Sequence, residues 1–331
     1  MLDTIYGKKV LFISPKFFNY EVEIVKEMKQ MGALVDHFDE RPQNTPLIKA
    51  LLRLKLKIFL TKQISKHYRE IIKNIRHDYD YVLIIAPETI TADIFIQIKK
   101  LNPKAKTIVY MWDSIKNKNV DHKIINLVDR FITFDPDDFK INNSIEFIPL
   151  FYIEDYKNLS KKTTGYKYDY SFVGTAHSDR YSVVSQIKEL LPSSLSGFLF
   201  YYSPSRILFC LQKMFISSFR TCHISDISFN PLKKDDVLEI VENSMVLIDI
   251  EHPQQKGLTM RTIEMIGAKR KIITTNNSIM SYDFYNENNI LLIERSNIHI
   301  NTEFFNTPYV ELEQEIYDSY ALKNWLKKIL C

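Results

Sequence analysis

The chain has 331 residues, 45% apolar and 25% charged, with a net charge of +4. That balance fits a globular protein of about two domains and excludes disordered, collagen-like and disulfide-scaffold chains. With only seven glycines, neither a G-x-G-x-x-G fingerprint nor a P-loop occurs, which argues against a Rossmann dehydrogenase or a P-loop kinase.

Residues 9–14 form an apolar run that reads as a buried parallel strand. A loop over 15–20 leads into a helix at 21–31, closed by Gly32, and a strand at 33–38. Residues 46–76 read as a long basic helical stretch. Strands at 81–86, 107–111 and 130–134 follow, separated by helices at 91–101 and 121–128. Repeated β-α-β units with buried strands imply a parallel sheet covered on both faces. Around 151–168 the pattern breaks, and 158–165 reads as a linker. The rhythm resumes with strands at 168–173, 197–202, 245–250, 271–275 and 290–293. Helices at 180–191, 206–219, 234–243 and 259–268 alternate with them, and 311–330 reads as a terminal helix. The domains predicted are thus 1–155, holding the basic region 46–76, and 166–305. The segment 306–331 ends in a helix expected to pack back on the first domain.

The densest motif is Gly257-Leu258-Thr259-Met260-Arg261-Thr262-Ile263-Glu264, followed by Gly267, the strand at 271–275 and Asn276. A glycine ahead of a helix lets backbone approach a ligand, and the free N–H groups at a helix start attract phosphate. Arg261 can pair with a diphosphate, and Glu264, at i+3, can accept from ribose hydroxyls. Upstream, Phe172-Val173-Gly174-Thr175 and Arg180 offer backbone N–H groups and a further cation. The plain alternatives are an i,i+3 ion pair for Arg261 and Glu264, and a simple strand–helix turn at Gly174-Thr175. His177 and His252 read as loop histidines, and Cys210 as a packing residue.

These stretches, with Phe134-Asp135-Pro136-Asp137-Asp138, resemble the GT-B glycosyltransferases, and among them the spore-maturation glycosyltransferase-like group tied to surface polysaccharides. The resemblance covers about residues 8–300. It implies an α/β chain of two doubly wound Rossmann-like domains facing a cleft, with a nucleotide-sugar donor bound by the second. Gly174, Thr175, Arg180, Lys256, Gly257, Leu258, Thr259, Arg261 and Glu264 are its expected contacts. Retaining members often carry two glutamates with seven residues between them. Here the position eight before Glu264 is Lys256, and Glu251 lies five further back, so the stereochemistry stays open.

An inverting transfer needs a general base on the acceptor side. Acids that follow strands of the first domain are the candidates: Asp113 beside Trp112, Glu88, and Asp135. A helix N-cap is the plain alternative for each. The loop Phe17-Phe18-Asn19-Tyr20 is expected to shape the acceptor site. No metal is expected: the D-x-D Asp135-Pro136-Asp137 is interrupted by proline, and GT-B members neutralise the leaving diphosphate with cations and helix ends. No cofactor beyond the donor is implied.

Within 46–76 stand Lys49, Arg53, Lys55, Lys57, Lys62, Lys66, Arg69, Lys73 and Arg76 against one acid, Glu70, with apolar residues interleaved. Such a stretch suits an anionic membrane surface, or else packs on its own domain. No nucleic-acid-binding fold accompanies the charge. Three cysteines, Cys210, Cys222 and Cys331, show no ligand spacing. No secretory signal opens the chain at Met1, and no apolar run reaches the roughly 20 residues of a membrane span. The expectation is a cytoplasmic glycosyltransferase, peripheral on the inner face of the cell membrane. It would move sugar to a growing glycan, such as capsule or lipopolysaccharide O-antigen, on a free or lipid-linked acceptor. A nucleotide-sugar epimerase of the same fold, or a non-catalytic sugar- or nucleotide-binding protein, is the alternative.

Overall fold

Strands such as Val10-Leu11-Phe12-Ile13 and Val82-Leu83-Ile84-Ile85 are enclosed on both faces. A parallel sheet between helical layers provides that burial. The structure, a computed structural model, describes residues 5–330 except 55, 116, 117, 119, 141, 254 and 255. Met1, Lys55 and Cys331 lie outside the described residues, as do the side chains of Leu47 and Arg53. The chain divides into two units. One runs to Leu150 and takes in the helix Leu322–Leu330, and the other is Phe151–Ala321.

Among the described residues the first unit has six strands: β1 (Lys9–Ser14), β2 (Leu34–Asp39), β3 (Tyr81–Ile85), β4 (Lys106–Met111), β5 (Arg130–Thr133) and β6 (Ile145–Phe147). All pair in parallel, in the order β2-β1-β3-β4-β5-β6. The second unit has β7 (Tyr168–Thr175), β8 (Gly197–Tyr202), β9 (Ile227–Ser228), β10 (Ser244–Asp249), β11 (Lys271–Thr274) and β12 (Ile290–Leu292). These too are parallel, in the order β12-β11-β10-β7-β8-β9. Each sheet starts in its middle, grows to one side, then crosses back. The order reverses between β1 and β3 in the first unit and between β7 and β10 in the second.

Several elements differ from the sequence reading. β6 and β9, of three and two residues, are too short to show a period. The expected helix at 121–128 is a single 3-10 turn, His122–Asn126. The stretch 46–76 is not one helix but Pro46–Arg53, a turn Lys57–Leu60, and Thr61–Asn74. Its Ile48, Leu52, Leu60, Ile64, Tyr68 and Ile71 are buried in the core of the first sheet, while Leu54, Ile58 and Phe59 stay exposed. The helix predicted at 206–219 ends at Phe215, and Cys210 on it is exposed rather than packed. Residues 311–330 hold two helices, Gln314–Ser319 and Leu322–Leu330, which belong to different units.

The helix Leu322–Leu330 completes the first unit. Trp325 is buried edge-on against Tyr110 of β4, with ring centroids 4.8 Å apart. Arg130 of β5 caps the helix end, donating from Nη1 to the carbonyls of Lys328 (2.9 Å) and Ile329 (2.7 Å). In the second unit, Gly267 marks a close approach. A Cβ there would lie 2.5 Å from Cγ of Tyr152. The Tyr317 hydroxyl donates to the Gly267 carbonyl at 2.6 Å, and Tyr152 donates to the carbonyl of Tyr317 at 3.0 Å. Gly267→Val should therefore destabilise the chain by about 1–3 kcal/mol through overpacking. A chemical denaturation midpoint equal to that of the wild type would show that the tyrosine pair yields freely.

Candidate functional site

Ligands of open parallel sheets collect beyond the carboxyl ends of the strands, where strand order reverses. In the second unit that place lies between β7 and β10, and Arg180 spans it. It opens the helix Arg180–Leu190 after β7, and its Nε donates to the carbonyl of Ile250, just past β10, at 2.5 Å. Gly174 runs beside it: a Cβ there would clash with Phe172 at 2.8 Å and touch Nη1 of Arg180 at 3.4 Å. Among the described residues the two Nη groups of Arg180 take no protein hydrogen bond. Burial works against its charge, Asp249 and Glu251 support it, and the nearby Arg295 and Arg261 oppose it; the net shift is downward.

Gly174 and Thr175 do not follow the strand, as the sequence reading had it. They are its last two residues, in register with Tyr201 and Tyr202 of β8. The turn reading of this dipeptide is corrected, because β7 extends two residues further than its apolar run.

Arg261 and Glu264 lie on the helix Met260–Ala268, paired at 2.9 Å through Nη1 and Oε2. The plain ion-pair geometry is thus present, but it is not a surface pair: the Glu264 side chain is 7% exposed and Arg261 22%. Burial, then the Glu264 carboxylate, pushes the Tyr156 phenol far up its range. Tyr156 comes from the helix Glu154–Leu159, ahead of the expected linker. The start of the 260–268 helix is fixed to the end of β10. Asp249 Oδ2 accepts from Thr259 Oγ1 (2.6 Å) and Thr262 Oγ1 (2.5 Å), and Thr259 caps the backbone of Thr262. Gly257 and Leu258 are buried and Lys256 is exposed. Asn276, after β11, donates to the Lys256 carbonyl at 3.2 Å and so braces this turn. His177 and His252 tilt against one another at 5.7 Å.

Arg295 escaped the sequence reading. It follows β12 and donates to Asp179 (2.6 Å), to the Glu251 carbonyl (2.5 Å) and to Glu251 Oε1 (2.7 Å). Burial works against its charge, but Glu251 and Asp179 outweigh it and hold the guanidinium above its ordinary range. Glu251 also accepts from Thr275 at 2.6 Å.

In the first unit the acids again follow strand ends. Glu88, beyond β3, is buried. Its Oε2 accepts from Arg41 Nε (3.2 Å) and Nη2 (2.9 Å), and its Oε1 lies 3.5 Å from Lys118 Nζ. The same Lys118 lies 3.3 Å from Asp113, whose side chain is 39% exposed. Asp135 is buried and occupied with its own turn, accepting from the Asp137 N–H at 3.0 Å. Asp138 accepts from Ile115 N–H and Thr133 Oγ1, while Asp137 pairs with Lys140. The D-x-D stretch is therefore not a convergent site. Among the described residues no three His, Cys, Asp or Glu side chains gather as a metal site. Trp112 lies against Phe17 (5.6 Å) of the loop after β1 and against Tyr20 (6.1 Å), the first residue of the helix Tyr20–Gln30, and Phe18 stands 80% exposed.

No family model matches the chain, and no curated protein matches it by sequence. Solved structures do match. The chain is similar to a glycosyltransferase from Rickettsia africae ESF-5, with a TM-score of 0.59 at 14% identity, over 97% of this chain and 96% of that one. It is similar to Anabaena Alr3699/HepE in complex with UDP and glucose, with a TM-score of 0.56 at 9% identity, over 98% and 99%. An apo structure of OtsA matches with a TM-score of 0.55 at 8% identity, over 97% of each chain. The fold is GT-B.

Within that GT-B fold, Glu40 is the second residue the sequence reading missed. It stands one residue past β2, fully buried, and its Oε1 accepts from the backbone N–H groups of Glu88 (2.7 Å), Thr89 and Ile90 (3.1 Å). The carboxylate thus clamps the turn that carries Glu88. Its Oε2 has no hydrogen-bond partner among the described residues. Burial raises Glu40 to about 7, against the Thr89 and Glu88 N–H groups and the Thr89 side chain that favour its charge, with the Glu88 charge adding to the rise. A folded-state value above the unfolded one of 4.5 means that the native state holds this proton more tightly. Stability from it is present below pH 4.5 and lost as the pH rises to about 7. Relative to Glu40→Gln, the wild type should lose up to about 1.4 kcal/mol per pH unit across that window. A stability difference that stays flat from acid to neutral pH, measured by denaturant titration, would remove the proton from Glu40.

Proposed function

We propose that this chain is a glycosyltransferase that passes a sugar from a nucleotide-sugar donor to a growing cell-surface glycan, of the capsule or lipopolysaccharide O-antigen kind. The observation that carries the reading is Arg180 at the strand-order reversal of the second sheet, its Nη groups without protein partners among the described residues. A diphosphate is the natural complement of paired guanidinium donors. Arg180 and Arg261 take the diphosphate, with Lys256 as an outer cation. The turn Gly257-Leu258-Thr259 brings the helix start to it, Gly174 and Thr175 line it, and Glu264 accepts from the ribose. HepE, a structure of the same fold, holds UDP and glucose, which supports this class of donor.

Asp113 activates the acceptor. It is the most exposed of the three acids; Glu88 is tied into ion pairs on both oxygens and Asp135 into its turn. The acceptor hydroxyl gives its proton to the Asp113 carboxylate, and the oxygen bonds to the anomeric carbon. The bond from that carbon to the diphosphate oxygen breaks, and the charge left on the diphosphate is met by arginine. The acceptor class rests on the sequence resemblance to the spore-maturation glycosyltransferase-like group. Exposed Leu54, Ile58 and Phe59 beside Lys62, Lys66 and Arg69 support contact between 46–76 and an anionic membrane that carries a lipid-linked acceptor. No nucleic acid enters the reading.

Two measurements test it. Arg180→Met should weaken UDP binding by about tenfold or more, since a charge-assisted hydrogen bond is worth roughly 1.5–3 kcal/mol. Unchanged affinity by calorimetry in a folded variant would take the arginine out of the site. Asp113→Asn should lower turnover by about 10²–10⁴ while leaving donor affinity near that of the wild type. Near-normal turnover would leave Asp113 a spectator and point to Glu88.

A further inference from the structure

The helix Arg206–Phe215 of the second unit exposes Ile207 (75%), Leu211 (47%), Met214 (67%) and Phe215 (77%), with Ile216 (40%) directly after it. Positions i, i+4, i+7 and i+8 share one helix face, so these side chains form a continuous row. Phe209 faces the other way. It is 1% exposed and seated between Phe219 and Phe229, at 6.1 and 6.2 Å. Single exposed apolar residues are ordinary, but a contiguous row of this size marks a contact surface.

Its charge says what the contact is with. From Ser203 to Ser225 the chain has Arg206, Lys213 and Arg220 and neither aspartate nor glutamate. All three cations are exposed. Arg206 lies over the Phe229 ring at 5.2 Å, and Lys213 donates to the carbonyl of Cys222 at 2.7 Å. On the helix, Arg206 and Lys213 fall together at one margin of the apolar row. A second copy docking here through a two-fold contact would bring like cations together. An anionic lipid surface complements both the apolar row and its cationic margin.

We infer that this helix lies in the headgroup layer of an anionic bilayer. Ile207, Leu211, Met214 and Phe215 enter the acyl boundary, with Arg206, Lys213 and Arg220 at phosphate level. This surface belongs to the second unit, is separate from 46–76 in the chain, and does not rest on sugar transfer.

The test is sedimentation of the full chain with vesicles of phosphatidylcholine alone or with phosphatidylglycerol added, at low and high salt. The wild type should bind the mixed vesicles and release as salt screens the charges. Phe215→Glu, at an exposed position that leaves the fold intact, should weaken partitioning by about tenfold or more. Phe215→Trp should show blue-shifted emission, quenched by brominated acyl chains, with the mixed vesicles only. Calorimetry of UDP with Phe215→Glu should match the wild type, which keeps this result apart from that of the donor site. Vesicle binding abolished by Phe59→Glu and untouched by Phe215→Glu would overturn the inference. So would a dimer in light scattering that Phe215→Glu dissociates, with no vesicle binding by the wild type.

Discussion

Guanidinium groups do not escape burial by giving up a proton, so several of them near one another must be matched by carboxylates or by a ligand. The carboxyl edge of the second sheet is organised around that constraint. Glu251 and Asp179 hold Arg295, Glu264 holds Arg261, and Asp249 fixes the helix start through two threonines. Arg180 crosses from β7 to β10 alongside Gly174, and its Nε donates to the Ile250 carbonyl. The strands bring these groups to one edge through topology alone.

The first sheet also gathers ion pairs at its carboxyl edge. There one arginine, Arg41, and one lysine, Lys118, hold Glu88 from its two oxygens. Glu40 solves a different problem. The turn beyond β3 presents three N–H groups inside the protein, and unpaired buried N–H groups are costly. One carboxylate oxygen satisfies all three, at the expense of desolvating a charge. The position of Glu88 is in this way inherited from a residue just past β2, one strand removed from β3.

What could be read from the chain follows from which forces act locally. The strands were legible because burial on both faces writes unbroken aliphatic runs such as 10–13 and 82–85. The 257–276 motif was legible because a glycine turn, a helix and a strand lie within twenty residues. Arg295 and Glu40 were not: neither sits in a motif, and each acts across intervening strands, Arg295 from beyond β12 past β11 and β10, and Glu40 from beyond β2 past β1. Stretch 46–76 was misread for another reason. Its apolar residues are divided between core, as with Ile64 and Tyr68, and surface, as with Ile58 and Phe59. A mean over the stretch hides that division. The exposed face of 206–215 was hidden likewise, since apolar spacing alone does not say which side meets the sheet.

The return of Leu322–Leu330 to the first unit bears on the order in which the protein is made. Ribosomal synthesis proceeds from the N-terminus, and domains usually fold as they emerge. The second unit is continuous and can close once residue 321 has left the tunnel. The first cannot, for Tyr110 lacks Trp325, and Arg130 lacks the helix end it caps, until the whole of the second unit has been translated. The half of the chain that is made first is therefore the last to be finished, and its β4–β5 surface stays uncovered until then.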